Sequence, residues 1–198
     1  MADFTESVVL VTGAGKGLGR AVAQAFAARG AIVAVNDISP VNLDETVARI
    51  EASGGRVRAY VEDIAKKMPV QALLNQVLDD WGRLDILVNC AEVEPTYSVL
   101  EMDEWDWQRT LDVNLTGAFL LTQSAGRIMR SQGGGVILHV GERARGTELR
   151  AAYFASKAGL AAISALAAYE LSEYGIRVYH VQPAEGGDTA AEVVALCA

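Results

Sequence analysis

The chain has 198 residues, 51% of them hydrophobic and 21% charged, which suits one globular domain with a substantial core and excludes a disordered polymer. A formal net charge of -8 excludes a sequence-independent grip on nucleic acid, which needs clustered Lys and Arg. The two cysteines (Cys90, Cys197) and two histidines (His139, His180) lie too far apart in sequence for a disulfide framework or a zinc site, so no metal is expected. Met1 to Glu6 shows no signal-peptide pattern, and no apolar run approaches the roughly 18 residues of a membrane span, so a cytoplasmic protein with no membrane partner is expected.

Along the chain, short β-rich runs alternate with longer helical stretches, the pattern of parallel βαβ units. The predicted strands are Val8 to Thr12, Ala31 to Asn36, Arg56 to Tyr60, Leu84 to Asn89, Gly135 to Val140 and Ile176 to Gln182. Most are continuous apolar runs, which predicts a sheet buried on both faces. The predicted helices are Leu18 to Arg29, Val41 to Ala52, Val70 to Trp81, Trp105 to Arg130 and Tyr153 to Tyr174, with Ala190 to Ala198 as a short closing helix. Leu111, Leu115, Ala118, Phe119, Thr122 and Ala125 give the fourth of these one continuous apolar face. No repeat, linker or charge run divides the chain, so one domain over 1–198 is expected.

Val8 to Thr12 runs directly into Gly13-Ala14-Gly15-Lys16-Gly17-Leu18-Gly19 and then a helix. Glycines there allow close approach of backbone, and a helix N-terminus offers free N–H groups and a positive dipole end to a phosphate. The G-x-G-x-x-G spacing fails, because it would need glycine at Leu18; the spacing that fits is T-G-x-x-x-G-x-G. That turn, Asp37-Ile38 closing the second strand, Asp63-Ile64, Asn89-Cys90-Ala91, Asn114, and Tyr153-Phe154-Ala155-Ser156-Lys157 occur in the order of the short-chain dehydrogenase/reductase family. The chain resembles that family, its 3-oxoacyl-[acyl-carrier-protein] reductase-like branch most, over about residues 7 to 183.

The resemblance implies an α/β Rossmann fold, a doubly wound parallel sheet of six strands in the order 3-2-1-4-5-6 with helices on both faces. It implies cofactor contacts from Gly13, Gly15, Lys16, Gly17, Leu18, Gly19, Asp37, Ile38, Asp63, Ile64, Asn89, Ala91, Tyr153, Lys157 and Pro183. Asp37 would accept hydrogen bonds from the adenosine ribose and repel a 2'-phosphate, favouring NAD(H) over NADP(H); Lys16 pulls weakly the other way. Tyr153 would be the acid/base, Lys157 would lower its pKa and hold the ribose, and Asn114 would support a relay water. Residues four apart share a helical face, so the Lys157 ammonium falls beside the phenol.

Several positions depart from the family. Glu142 stands where the catalytic serine belongs, with Thr147 as the nearest upstream hydroxyl. Losing one preorganised donor costs about 3 to 4 kcal/mol; an ionised Glu142 would oppose phenolate, whereas a protonated one would donate as the serine does. Glu92 replaces the glycine after Asn-x-Ala, and Pro183-Ala184-Glu185 replaces Pro-Gly; both add bulk and negative charge. About 15 residues follow Pro183, so the family's substrate loop and last strand are expected to be missing. Trp105 and Trp107 are expected in the core or an interface, and His139 is expected to pack rather than to catalyse.

The sequence reading favours an NAD(H)-dependent oxidoreductase interconverting a hydroxyl and a carbonyl on a small-molecule substrate. Its rival is a catalytically weakened dinucleotide binder acting as a sensor or structural partner. The resemblance also implies a homodimer or homotetramer through the Trp105 to Arg130 and Tyr153 to Tyr174 helices, the dimer being preferred.

Overall fold

The structure is a computed structural model and describes residues 3–141, 149–183 and 187–198. Six strands, β1 (Val8–Thr12), β2 (Ile32–Asp37), β3 (Arg56–Val61), β4 (Ile86–Asn89), β5 (Gly135–Val140) and β6 (Ile176–Val181), form one sheet in the order β3-β2-β1-β4-β5-β6. Every pairing is parallel, and the strand order reverses direction between β1 and β4. In such sheets the crevice at the carboxyl ends of the strands, beside that reversal, is where ligands bind.

The helices are α1 (Gly17–Ala27), α2 (Pro40–Ala52), α3 (Lys67–Trp81), α4 (Glu104–Leu111), α5 (Ala118–Gln132), α6 (Ala151–Leu171) and α7 (Thr189–Leu196). Because successive strand residues face opposite sides, the sheet divides the core in two. Val9, Val11, Val33 and Val35 pack with Phe26 of α1, Leu43 of α2 and Val193 of α7. Val8, Leu10, Leu87 and Ile137 pack on the other face with Leu73 of α3 and Leu121 of α5. Side chains of this size contribute about 1.5 to 3 kcal/mol each when fully buried. The side-chain caps are Ser39, Asp103 and Asp188, which accept from Asn42 N, Asp106 N and Ala191 N at 3.4, 2.8 and 3.0 Å and start α2, α4 and α7.

Three expectations need correction. The sheet is buried on both faces in β1 and β4, but β3 and β6 lie at its edges and alternate between buried and exposed residues, as strands covered on one face do. The stretch Trp105 to Arg130 is not one α-helix: Asp112–Gly117 is π-helical and separates α4 from α5. Its i to i+5 hydrogen bonding leaves no signature residue type in a sequence, and such segments often mark functional sites. Finally, an apolar stretch of spanning length does occur. Ala151–Tyr174, α6 and the 3-10 turn after it, is long and apolar enough to cross a membrane by length and composition, with mean hydropathy 1.3. In this fold α6 instead lays Ala152, Tyr153, Ser156, Lys157, Leu160, Ser164 and Ala167 inward.

Candidate active site

A cleft of about 640 Å³ opens at the carboxyl ends of β1, β2 and β4, lined by Gly13, Gly17, Asp37 and Ile38 at one end and by Glu92 and Arg109 further along. The turn between β1 and α1 is shaped by backbone. Gly13 has φ +63°, and a Cβ there would stand 2.6 Å from Ala91 Cα, so the turn and the end of β4 can only meet without a side chain. Gly17 has φ +55°, and a Cβ added there would meet nothing within 4 Å: the turn bares its backbone to the cleft. Asp37 Oδ2 accepts from Gly15 N at 3.0 Å, and Oδ1 accepts from Ser39 N at 3.0 Å. These bonds fix the carboxylate at the end of β2 with lone pairs to spare for ribose hydroxyls.

Arg20 buttresses the same turn from behind, a role that no spacing or motif signals. Its Nε donates to Thr46 Oγ1 at 2.9 Å, its Nη2 pairs with Glu45 at 2.9 Å, and Nη2 also donates to Gly15 O. The bare turn, its N-terminal helix and the anchored carboxylate fit the phosphates and ribose of a dinucleotide. Lys16 and Ile38 are exposed on the cleft wall, Leu18 packs toward the core, and Ile64 is buried. Asp63 forms a two-pronged ion pair with Arg109 of α4 (3.0 and 3.3 Å), and its carboxyl is held below the usual range. That lowering comes from Arg109 and the Ala65 N–H, which outweigh burial acting the other way.

Behind Glu92, which lines the cleft, Tyr153 and Lys157 lie one turn apart on α6, with 0% and 4% of their surfaces exposed. Lys157 Nζ donates to Val140 O at 3.0 Å and is 2.8 Å from Glu92 Oε2. The Tyr153 hydroxyl donates to the same Glu92 oxygen at 3.3 Å. Glu92 therefore does more than add bulk: it gathers both α6 side chains. Its neighbour Glu94 pairs with Arg150, a buried residue just before α6 whose guanidinium lies 5.4 Å from the Tyr153 ring centre. Neither pairing was visible in the sequence, where Arg150 looks like any charge ahead of a helix.

Asn114 sits in the π-helical segment and is buried. Its Oδ1 accepts from Val93 N at 2.8 Å, while Nδ2 donates to Val93 O at 2.9 Å and to Ser156 Oγ at 3.1 Å. It thus clamps the segment after β4 to α6, directly beside Glu92. Asn89 and Ala91 close β4: Ala91 N donates to Thr12 Oγ1 at 3.3 Å, and Asn89 Nδ2 meets His139 Nδ1 at 3.1 Å. Thr122 Oγ1 directs its hydrogen to Ala118 O at 2.7 Å and so accepts from His139 Nε2 at 3.1 Å, which leaves Nδ1 as the acceptor for Asn89. His139 is thereby a neutral structural link, pushed down to about 3 chiefly by burial, with His180 and Lys157 adding to it.

Trp105 lies outside the core. It is 70% exposed and lines the cleft, because α4 buries Thr110 rather than its first turn; Trp107 is 39% exposed. Pro183 follows β6 and is half-buried. Glu142, Thr147, Ala184 and Glu185 lie outside the described residues. Among the described residues no cluster of His, Cys, Asp or Glu could hold a metal ion.

The family described as short chain dehydrogenase matches residues 7–192. The chain is 42% identical over 183 residues to an uncharacterized oxidoreductase of Thermotoga maritima, covering 91% of this chain and 72% of that protein. It is 38% identical over 186 residues to a 3-oxoacyl-[acyl-carrier-protein] reductase of Synechocystis, covering 92% and 75%. A crystal structure of a short chain dehydrogenase from Mycobacterium smegmatis superposes with a TM-score of 0.92 at 34% identity, over 98% of this chain and 87% of that one. The fold, the strand order and these matches together place the chain in the short-chain dehydrogenase/reductase family, whose members are nicotinamide-dependent oxidoreductases.

Proposed function

We propose that the chain is an NAD(H)-dependent dehydrogenase/reductase that interconverts a hydroxyl and a carbonyl on a small molecule. The observation that carries this reading is that Glu92 gathers Tyr153 and Lys157 and itself lines a cleft whose other end is the glycine turn and Asp37. The bound nicotinamide supplies the hydride acceptor or donor. The Gly13 to Gly19 turn and the start of α1 would hold the phosphates, and Asp37 the adenosine ribose. Of the three Lys157 ammonium hydrogens, one goes to Val140 and one to Glu92 among the described residues, leaving a third for the nicotinamide ribose. Tyr153 would exchange the proton of the reacting oxygen, helped toward phenolate by the Lys157 charge. A paired fluorescence titration with NADH and NADPH tests the cofactor half: NADH should bind at least about tenfold more tightly, since a 2'-phosphate meets the Asp37 carboxylate. Equal or inverse preference would contradict it.

A second reading, a dinucleotide binder with weakened chemistry, is favoured by one feature: Tyr153 has no exposed surface and Lys157 is ion-paired with Glu92. It predicts tight NADH binding without turnover on any carbonyl.

For assembly we propose a homodimer through α5 and α6. Phe119, Leu166 and Tyr169 are 43%, 58% and 81% exposed on these helices and leave an apolar face without a cover among the described residues. Light scattering should read a dimer; a monomer or a stable tetramer would contradict this. Cys90 and Cys197 are both buried thiols, which accords with a reducing cytoplasm.

A further inference from the structure

Three features set Glu92 apart. It reaches two reactive side chains of α6 with one oxygen, it lines the cleft, and it comes from a segment that Asn114 locks in place on both sides of the Val93 backbone. Its side chain is 16% exposed, whereas Tyr153 has no exposed surface. Glu92 is a described side chain that touches both the phenol and the cleft, so it offers the phenol proton a path to water.

We propose that Glu92 is the proton exchanger of Tyr153, resting on the dehydrogenase reading above. In oxidation, the substrate O–H proton passes to the Tyr153 oxygen as the phenol's own proton passes to the Glu92 carboxylate. The C–H hydride leaves for the nicotinamide, and protonated Glu92 then loses its proton to water in the cleft. The net products are carbonyl, reduced dinucleotide and one proton; reduction runs the same steps backward. Tyr153 then need not exist as a free phenolate, a form that is scarce at neutral pH for a phenol with an ordinary pKa near 10.

The charges around this pair are mixed. Lys157 and Arg150 face Tyr153 from α6 and its start, Glu94 faces Arg150 from the Glu92 segment, and Cys90 precedes that segment on the cleft wall. His139 on β5 and His180 on β6 lie near Lys157, and both are held below the usual imidazole range, chiefly by burial. Lys16, Asp37, Asp106 and Arg109 line the cleft beyond. With both imidazoles neutral near pH 7, Glu92 is, among the described residues, the carboxylate in direct hydrogen-bond contact with the phenol.

The test compares wild type with Glu92→Gln and Glu92→Asp, using Tyr153→Phe to assign the phenol signal. Ultraviolet titration of phenolate reads the contact without turnover: removing the charge in Glu92→Gln should lower the Tyr153 ionisation by about one pH unit or more. No shift would overturn the contact. The pH profile of alcohol oxidation reads the role. Glu92→Gln should lose about tenfold or more at pH 7 and recover toward alkaline pH, with Glu92→Asp restoring part of the neutral rate. Should Glu92 merely repel phenolate, Glu92→Gln would be as fast as wild type or faster at pH 7, and the proposal falls. If wild type and both Glu92 variants all lack turnover, the dehydrogenase reading fails and takes the exchanger role with it. A Tyr153→Phe protein as active as wild type would overturn the part played by Tyr153 itself.

Discussion

The two ends of the cleft are built from different materials. At the nucleotide end the geometry is set by backbone: Gly13 packs against Ala91, Gly17 takes a left-handed turn conformation on the cleft wall, and Asp37 is fastened by two main-chain donors. At the reaction end it is set by side-chain charges drawn from distant parts of the chain, with Glu92 and Glu94 reaching Lys157, Tyr153 and Arg150. A backbone-built site leaves no room for a Cβ at Gly13, whereas a charge-built site can be rewired by one substitution without disturbing the fold.

The strongest way to break that contrast is Gly13→Val. A β-branched residue at φ +63° with its Cβ 2.6 Å from Ala91 Cα adds backbone strain to overpacking, a loss of about 4 kcal/mol. Urea unfolding should show it; a loss under about 1 kcal/mol would mean that the turn can open, and the backbone account would fail.

A smaller effect separates His139 from the reacting groups. Its pKa is lowered from 6.5 to about 3 in the folded chain, chiefly by burial. Between those values the unfolded chain binds the proton and the folded chain does not, so stability is full above pH 6.5 and falls as the pH drops toward 3. The loss at pH 5 is about 2 kcal/mol from this group alone. Denaturant melts at pH 7 and pH 5 measure it; a stability flat across that interval would contradict a neutral, buried His139.

The sequence made the nucleotide end legible because backbone constraints leave a trace in residue type. Gly13 has no room for a Cβ and Gly17 holds a left-handed conformation that favours glycine, so the spacing itself reports the turn, and the bounds of β1 and β5 follow from their apolar runs. The reaction end was half legible. Tyr153 and Lys157 share a helical face by spacing, but the Glu92 contact with Tyr153 spans 61 positions, and charge alone does not name its partner. The π-helical turn at Asp112–Gly117 was hidden inside one continuous apolar stripe, and with it the way Asn114 turns inward to Val93. For Trp105 the sequence left core and interface open together, and the structure excludes the core because the first turn of α4 faces the cleft.

The central claim is that this cleft carries hydride chemistry with Tyr153 as its acid/base. The most direct measurement is NADH oxidation by wild type and Tyr153→Phe against ketones, aldehydes and 3-oxoacyl thioesters, with NADH affinity measured alongside. We expect turnover by wild type on at least one class, a loss of about a hundredfold or more in Tyr153→Phe, and NADH affinity changed by less than about threefold. Equal turnover by the two proteins, or tight NADH binding with none from wild type, would contradict it.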